Sequence, residues 1–425
     1  VEPELLIGAA ARAAAPRHDP YLALRNPNYR FFALGFLVSS TGLQMLATGL
    51  AWEIYQRTQD ALMLGYIGLA RAIPVLLLAL PAGQAADLFN RKLVLFGTQA
   101  AFTLLCALLA IASATGAALW ITHALLVLMG CARSFNGPSR NALLPLLVAD
   151  GEFHNAVTWN SGVFQLSATG GPLLAGGLIG VCGVAWPVYA VTAAGCAIAA
   201  VSALLLRPRA QQRGDGRFTL GSMTAGAGHL LREQTVLAAI TLDLFAVLLG
   251  GATALMPVYA QMLSVGAVGL GALKAAPYVG ALLMALLLAH RPPFRRAGWS
   301  LLLSVAGFGA ATIAFGMSHD FLLSLSMLLL LGGLDNISVV IRHVLVQVRT
   351  PDALRGRVSA VNSVFIESSN ELGAFESGLV AKVFGPVVSV VSGGIGTILV
   401  VAGIAWLWPE VRRLGRLAPD QQAAG

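Results

Sequence analysis

The chain has 425 residues, 57% of them hydrophobic and only 11% charged, less than half the charged share of an ordinary soluble domain. That composition excludes a water-soluble globular protein, and long unbroken apolar runs in place of two-residue alternation exclude an outer-membrane barrel. The formal charge of +8 does not point to nucleic acid, because the basic residues lie in short tracts between apolar segments and form no continuous face.

Residues 1–30 carry Glu2, Glu4, Arg12, Arg17 and Asp19; lacking the apolar core of a cleavable leader, they read as a cytoplasmic tail. A hydrocarbon layer about 30 Å thick is crossed by about 20 apolar helical residues. Such segments fall at 31–54, 62–82, 93–114, 119–139, 156–179 and 184–206, then at 236–261, 265–289, 298–317, 321–345, 358–381 and 386–408. The connections alternate in character. Those at 115–118, 180–183, 262–264 and 318–320 are short and nearly uncharged, whereas those at 83–92, 140–155, 207–235, 290–297 and 346–357 are rich in Arg and Lys. Basic loops stay cytoplasmic, so the pattern predicts a multi-pass protein of the plasma (inner) membrane with both tails, 1–30 and 409–425, in the cytoplasm. The longest connection, 207–235, mixes Arg207, Arg209, Arg213 and Arg217 with Gly214, Gly216 and Gly221. It reads as a flexible basic linker, with lipid binding or regulation as the alternative, and it divides the spans into bundles 31–206 and 236–408.

The two bundles repeat one another. Arg71-Ala72-Ile73-Pro74 returns about 200 residues later as Lys274-Ala275-Ala276-Pro277. Gly68 is matched by Gly271, Tyr55 by Tyr259, Arg140 by Arg342, Asp150 by Asp352, Asn160-Ser161 by Asn362-Ser363 and Gly171 by Gly373. Both halves begin on the same side, so they are parallel repeats about an axis along the membrane normal. The expected fold class is an all-α membrane protein of twelve transmembrane helices in two pseudo-symmetric six-helix bundles. Rocking such bundles about a shared site gives alternating access without exposing unpaired backbone to lipid.

Three motifs carry a family resemblance. Gly83-Gln84-Ala85-Ala86-Asp87-Leu88-Phe89-Asn90-Arg91-Lys92 is similar to the loop signature G-x-x-x-D-[RK]-x-G-[RK]-[RK] between the second and third spans of the major facilitator superfamily. Gly83, Asp87, Arg91 and Lys92 match; Leu88 and Asn90 replace a basic residue and a glycine. Arg133-Ser134-Phe135-Asn136-Gly137 resembles the fourth-span R-x-x-x-G motif of proton-coupled antiporters. Gly171-Pro172-Leu173-Leu174-Ala175-Gly176-Gly177 resembles the fifth-span exporter motif, its spacing stretched by one residue. From Asn26 to about Arg416 the chain therefore resembles that superfamily, and within it the bacterial macrolide-efflux and enterobactin-exporter-like proteins. The resemblance implies export by proton antiport. It also implies a cytoplasmic latch in which Asp87 accepts hydrogen bonds from a helix N-terminus or from an Arg of the neighbouring half-repeat; a solvated loop charge pair is the alternative.

An ionised side chain near the bilayer centre costs about 2.5–3.5 kcal/mol on insertion scales, so each one needs a partner, a wet cavity or a change of protonation. At 1.5 Å per residue, Arg71, Lys274 and Glu367 fall roughly 14 Å into their spans, and Arg133 and Asp335 roughly 21 Å from the outer face. Arg133 and Asp335 occupy equivalent places in the two repeats and are expected to face each other. They form either a static clamp between spans four and ten or a pair whose separation lets Asp335 take a proton. Glu367 and Glu371, one turn apart, share a face with Ser363, Asn370 and Ala374, and the duplication sets them against the neutral Gln165 and Thr169. They are candidates for a proton or cation site, or for pairing with Arg71, Lys274 or Arg342. Arg71 and Lys274 either hold an anionic cargo or neutralise those glutamates. Asp243 is a weaker candidate for proton entry, and Glu53 is expected to reach the interface.

Cys106, Cys131, Cys182 and Cys196 lack metal-ligand or redox spacing, the histidines lack a zinc pattern, and no Walker-type phosphate loop occurs. No cofactor or metal is expected. The expected function is secondary active transport, the efflux of a small amphiphilic drug or siderophore-like metabolite in exchange for protons, by a monomer in the bilayer. Uptake by proton symport or uniport stays open, since one fold serves both directions. A membrane-embedded enzyme or sensor would need a nucleophile or metal constellation near one interface.

Overall fold

The computed structural model describes residues 19–210, 228, 233–292 and 294–415. Most of the tail 1–30, most of the linker 207–235 and the end of the tail 409–425 lie outside those residues. The first half comprises α1 Pro27–Thr58, α2 Ala61–Leu88, α3 Arg91–Ala114, α4 Leu119–Leu147, α5 Phe153–Cys182 and α6 Trp186–Leu205. The second comprises α7 Gln234–Leu249, α8 Met256–Met262, α9 Gly266–Ala289, α10 Ala297–Gly316, α11 Phe321–Arg349, α12 Asp352–Phe384 and α13 Pro386–Leu407, followed by a short α14 Pro409–Arg413.

Local sequence sets the helix ends. Asn26 caps α1 by accepting from Asn28 N–H, and Pro27 opens the first turn, where its missing donor costs nothing. Asp60 caps α2 through Leu62 N–H, and Asn90 caps α3 through Lys92 N–H. Gly183 closes α5 at φ +73°, a conformation that glycine adopts without a Cβ penalty.

Three segments expected as loops are largely helical. Gly83 to Leu88 continue α2, Arg140 to Leu147 continue α4, and Asp352 onward belongs to α12. Hydropathy marks the part of a helix that lies in lipid, whereas the hydrogen-bond ladder runs on into water until a cap stops it. The seventh span, expected unbroken at 236–261, is split into α7 and α8 by a 3-10 turn at Gly251–Thr253. The break follows close packing: a Cβ on Gly251 would stand 2.2 Å from Ser377 Oγ and 2.6 Å from the Gly373 carbonyl oxygen of α12.

Among the described residues, ten helical stretches are long and apolar enough to cross a membrane. The two long helices that are not are α4 and α12, which carry Arg133, Arg140, Glu367, Glu371 and Glu376; with them the crossings number twelve. The pairing of helices repeats between halves. α1 and α3 pack on α6, α2 and α3 on α4, and α1 on α5; correspondingly, α7 and α10 pack on α13, α9 and α10 on α11, and α7 on α12. Two seams join the halves, α2 against α12 and α5 against α9. The described chain ends lie on one face, called here the terminal face, opposite the distal face.

Candidate functional site

The seams are tight toward the distal face. A Cβ on Gly176 of α5 would come 2.5 Å from the Ala267 carbonyl oxygen and 3.0 Å from Gly271 Cα of α9. Gly65 of α2 lies against the Phe375 backbone of α12, and Gly378 lies against Ala61 and Gly65. Small residues let these backbones meet without side chains between them. The Tyr66 and Phe375 rings meet tilted, their centroids 5.9 Å apart, and Lys382 Nζ, 2.6 Å from Asp60 Oδ2, ties the end of α12 to the start of α2. Farther toward the terminal face α5 and α9 still touch at Gln165 and Tyr278. Phe153, Val157 and Phe164 of α5 and Leu282, Leu283 and Leu286 of α9 are exposed. The halves thus meet backbone to backbone near the distal face.

The Lys382 ammonium beside Asp60 holds that carboxyl below the usual carboxylate range. A carboxyl depressed in this way contributes above the ordinary carboxylate range and loses its contribution only as pH falls through its own lower value. The latch should therefore persist through mild acidification. Both groups keep solvent contact, so Lys382→Ala should loosen the distal closure by under about 1 kcal/mol, visible as a small rise in labelling of cysteines introduced below it.

Ionisable residues from both halves meet at mid-depth. Arg71 of α2 stands 3.6 Å from Glu371 of α12, one of the three pairings left open for that carboxylate. Arg133 is exposed to a cleft that it lines with Arg71, Val75, Ser368 and Glu371. Lys274 of α9 donates to the Ala47 carbonyl of α1 at 3.2 Å, with Arg71 as its charged neighbour. Gln165 of α5 donates to the Tyr278 carbonyl at 2.5 Å, and the Tyr278 side chain lies near that of Gln44. Asn370 donates to its own helix at the Ile366 carbonyl and is exposed. Glu367 lies in α12 one turn before Glu371; its side chain is outside the described residues.

The expected pairing of Arg133 with Asp335 is replaced by another. Arg342 of α11 forms a buried ion pair with Asp243 of α7, and Asp335, two turns earlier on α11 and half-buried, has Asp243 and Arg342 as its charged neighbours. Tyr278, within reach of Arg71, Arg133 and Asp335, stands between the two clusters. The physical reason is that α7 presents a carboxylate directly to α11, and a guanidinium satisfied within its own half has no need of the other. Asp243, ranked low on sequence, is thus one member of a group of three.

The motifs also resolve. Arg91 donates to the Ala142 carbonyl at 3.1 Å and Lys92 to the Leu206 carbonyl at 2.8 Å, so two cations bind carbonyls near the ends of α4 and α6, where the helix dipole favours them. Asp87 and Gly83 lie in the last two turns of α2 and not in a loop; the Asp87 side chain is outside the described residues. In the fifth-span motif, Gly171 touches Gln44 and Thr41 of α1, the Pro172 carbonyl meets Gly271, and Gly176 lies on the α9 backbone. Gly177 faces open space, so the stretched spacing leaves that glycine outside the seam.

Glu53, near the distal end of α1, is held by three donors. Its carboxylate accepts from Tyr189 Oη at 2.6 Å and Ser113 Oγ at 2.9 Å, with Arg57 at 3.4 Å, and so joins α1, α3 and α6. Glu53→Leu should leave those donors unpaired and cost about 1–3 kcal/mol, read as a lower melting temperature in detergent. Sequence reasoning missed Lys382 and the Asp60 latch, although a lone Lys at the distal end of a span is a visible signal.

Comparison with known proteins gives a concordant picture. The family described as transmembrane secretion effector matches residues 18–421. The enterobactin exporter EntS of Escherichia coli O6:K15:H31 (strain 536 / UPEC) is 27% identical over 261 residues, 61% of this chain and 62% of that protein. EntS of Shigella boydii serotype 18 is 26% identical over 283 residues, 67% of this chain and 68% of the relative. The alignments to most of these exporters thus span about three-fifths of the relatives' length. Among solved structures, a bacterial homolog of the human lysosomal transporter Spinster, inward-facing and occupied, superposes with a TM-score of 0.72 at 13% identity, covering 95% of this chain and all of that one. The nucleoside transporter NupG gives 0.68 at 13%, covering 90% and 99%.

Proposed function

Because the chain belongs to the transmembrane secretion effector family and adopts the major facilitator fold of multi-pass membrane proteins, we propose that it is a secondary active exporter that exchanges protons for a small amphiphilic cargo. The observation that carries this reading is the pair of glycine seams that join the halves near the distal face, with charged groups of both halves gathered in a cleft at mid-depth. The rocking units are the bundles 31–206 and 236–408, and the terminal face is cytoplasmic, as the Arg-rich loops require. The unit of transport is the monomer, since each chain holds both halves.

Asp335 is the proton carrier. Arg342 and Asp243 neutralise each other, so Asp335 is the group whose charge is free to change with access. Among the described side chains Arg71, Arg133 and Glu371 line the cleft and Lys274 neighbours Arg71, a set whose cations suit an anionic cargo. A catecholate siderophore such as enterobactin, for which the relatives are named, has that chemistry. Glu371 competes with it for Arg71, so cargo entry and release of the Arg71–Glu371 bridge are linked steps.

Proteoliposomes with an imposed pH gradient test the reading, screened against anionic siderophores and cationic drugs. Cargo-dependent proton movement is the expected result. Cargo movement indifferent to the gradient would make the protein a uniporter, and preference for cations would overturn the cargo assignment.

A further inference from the structure

The duplication leaves one charge unmatched. In the second half Arg342 faces Asp243 across α11 and α7. Its counterpart in the first half is Arg140, and on the register that equates Tyr55 with Tyr259 the counterpart of Asp243 is Ser39. Where the second half supplies a carboxylate, the first half has a hydroxyl and a cavity. That cavity lies between α1, α3, α4 and α6, is lined by Phe31, Phe36, Ser39, Gln99, Arg140 and Leu206, and is small, about 20 Å³. Among the described residues Arg140 has no ion-pair partner; its guanidinium carbon lies 4.2 Å from the centre of the Phe36 ring.

A second observation points to a ligand. Gln99 is only 5% exposed, lines the same cavity, and its Oε1 has no hydrogen-bond partner. Its Nε2 makes one long contact of 3.5 Å to Ser39 Oγ. With the amide turned over and the Ser39 hydroxyl swung off the Phe36 carbonyl, to which it donates at 3.4 Å, Oε1 accepts from Ser39 and Nε2 becomes the donor left without a partner. A guanidinium and an amide N–H then converge on one space, the donor set that suits a tetrahedral oxyanion. The mouth fits the same occupant: Phe31 is 40% exposed, Arg30 beside it is exposed, and Lys92 is anchored on the carbonyl of the lining residue Leu206. Basic residues around an apolar opening on the face that carries the Arg-rich loops are the features that hold anionic lipid headgroups.

We infer that this cavity binds a phosphate group, seated on Arg140 and Gln99 in the place that Asp243 fills in the other half. The occupant supplies from outside the negative charge that the first half lacks, and its hydrocarbon lies against Phe31 and Phe36. The site is separate from the gap between the halves, and binding here does not depend on the transport reading.

The test is the purified full chain in detergent, given phosphatidylglycerol, phosphatidylcholine or inorganic phosphate, with bound lipid counted by native mass spectrometry and melting temperature followed. Phosphatidylglycerol should be retained and should raise the melting temperature of the wild type, with retention at least about tenfold weaker in Arg140→Gln. Ser39→Asp, which rebuilds the carboxylate pairing of the second half, should melt higher without any additive and respond to none; it carries the test if Arg140→Gln fails to fold. Stabilisation by inorganic phosphate alone would identify the source as a free anion; a response to phosphatidylglycerol alone identifies a lipid. Equal retention of both lipids, or a Ser39→Asp protein that takes up phosphatidylglycerol as the wild type does, would overturn the inference.

Discussion

Asp335→Asn is expected to uncouple cargo movement from the proton gradient. With one proton exchanged per cargo molecule, each pH unit of gradient supplies about 1.4 kcal/mol, enough for about a tenfold cargo ratio. The variant should hold no ratio at all, while exchange of cargo down its own gradient continues. The charge count around Arg342 is the reason: one guanidinium faces two carboxylates, and Asp243 is already bonded to it. Asp243→Asn should act differently. Removing one partner of a buried ion pair costs about 3–5 kcal/mol when nothing replaces it, but Asp335 already has Arg342 as a charged neighbour and is expected to take over part of the pairing. That protein should melt lower than the wild type and lose coupling because its proton carrier has become a structural ion. Measured side by side, proton flux and melting temperature separate the two roles. A fully pH-coupled Asp335→Asn protein would remove Asp335 from the mechanism.

The sequence made the twelve spans, the duplication and most of the charged residues of the gap legible, because each has a one-dimensional signal: hydropathy, register and the rarity of charge in lipid. What it could not convey was partner choice. Arg133 and Asp335 are equivalent in register, and symmetry suggests that they meet, yet Asp335 joins Asp243 and Arg342 because α7 and α11 pack within one half. Glu53 shows the same limit, since Ser113 of α3 and Tyr189 of α6 converge on it from positions far apart in the chain. The helix overruns at Gly83–Leu88 were hidden for a different reason. A window tuned to lipid cannot see a helix that continues in water.

Two adjacent glycines of the fifth-span motif should give opposite results when each receives a single methyl group. On Gly176 the new carbon would lie 2.5 Å from the Ala267 carbonyl oxygen and 3.0 Å from Gly271 Cα, both backbone atoms that no side-chain rotation can move. The α5–α9 seam must then open. Overpacking of this kind costs about 1–3 kcal/mol, and because the seam is closed in one access state and parted in the other, the whole penalty falls on the distally shut state. The ratio of the two states should shift by roughly 5–150-fold toward distal opening, read as increased spin-label distances between α5 and α9 at the distal face and as loss of net export. On Gly177 the same methyl meets nothing within 4 Å, so Gly177→Ala should transport as the wild type does. Equal behaviour of the two variants would mean that the seam is no gate, and that the motif acts through α5 flexibility, which both alanines would reduce alike.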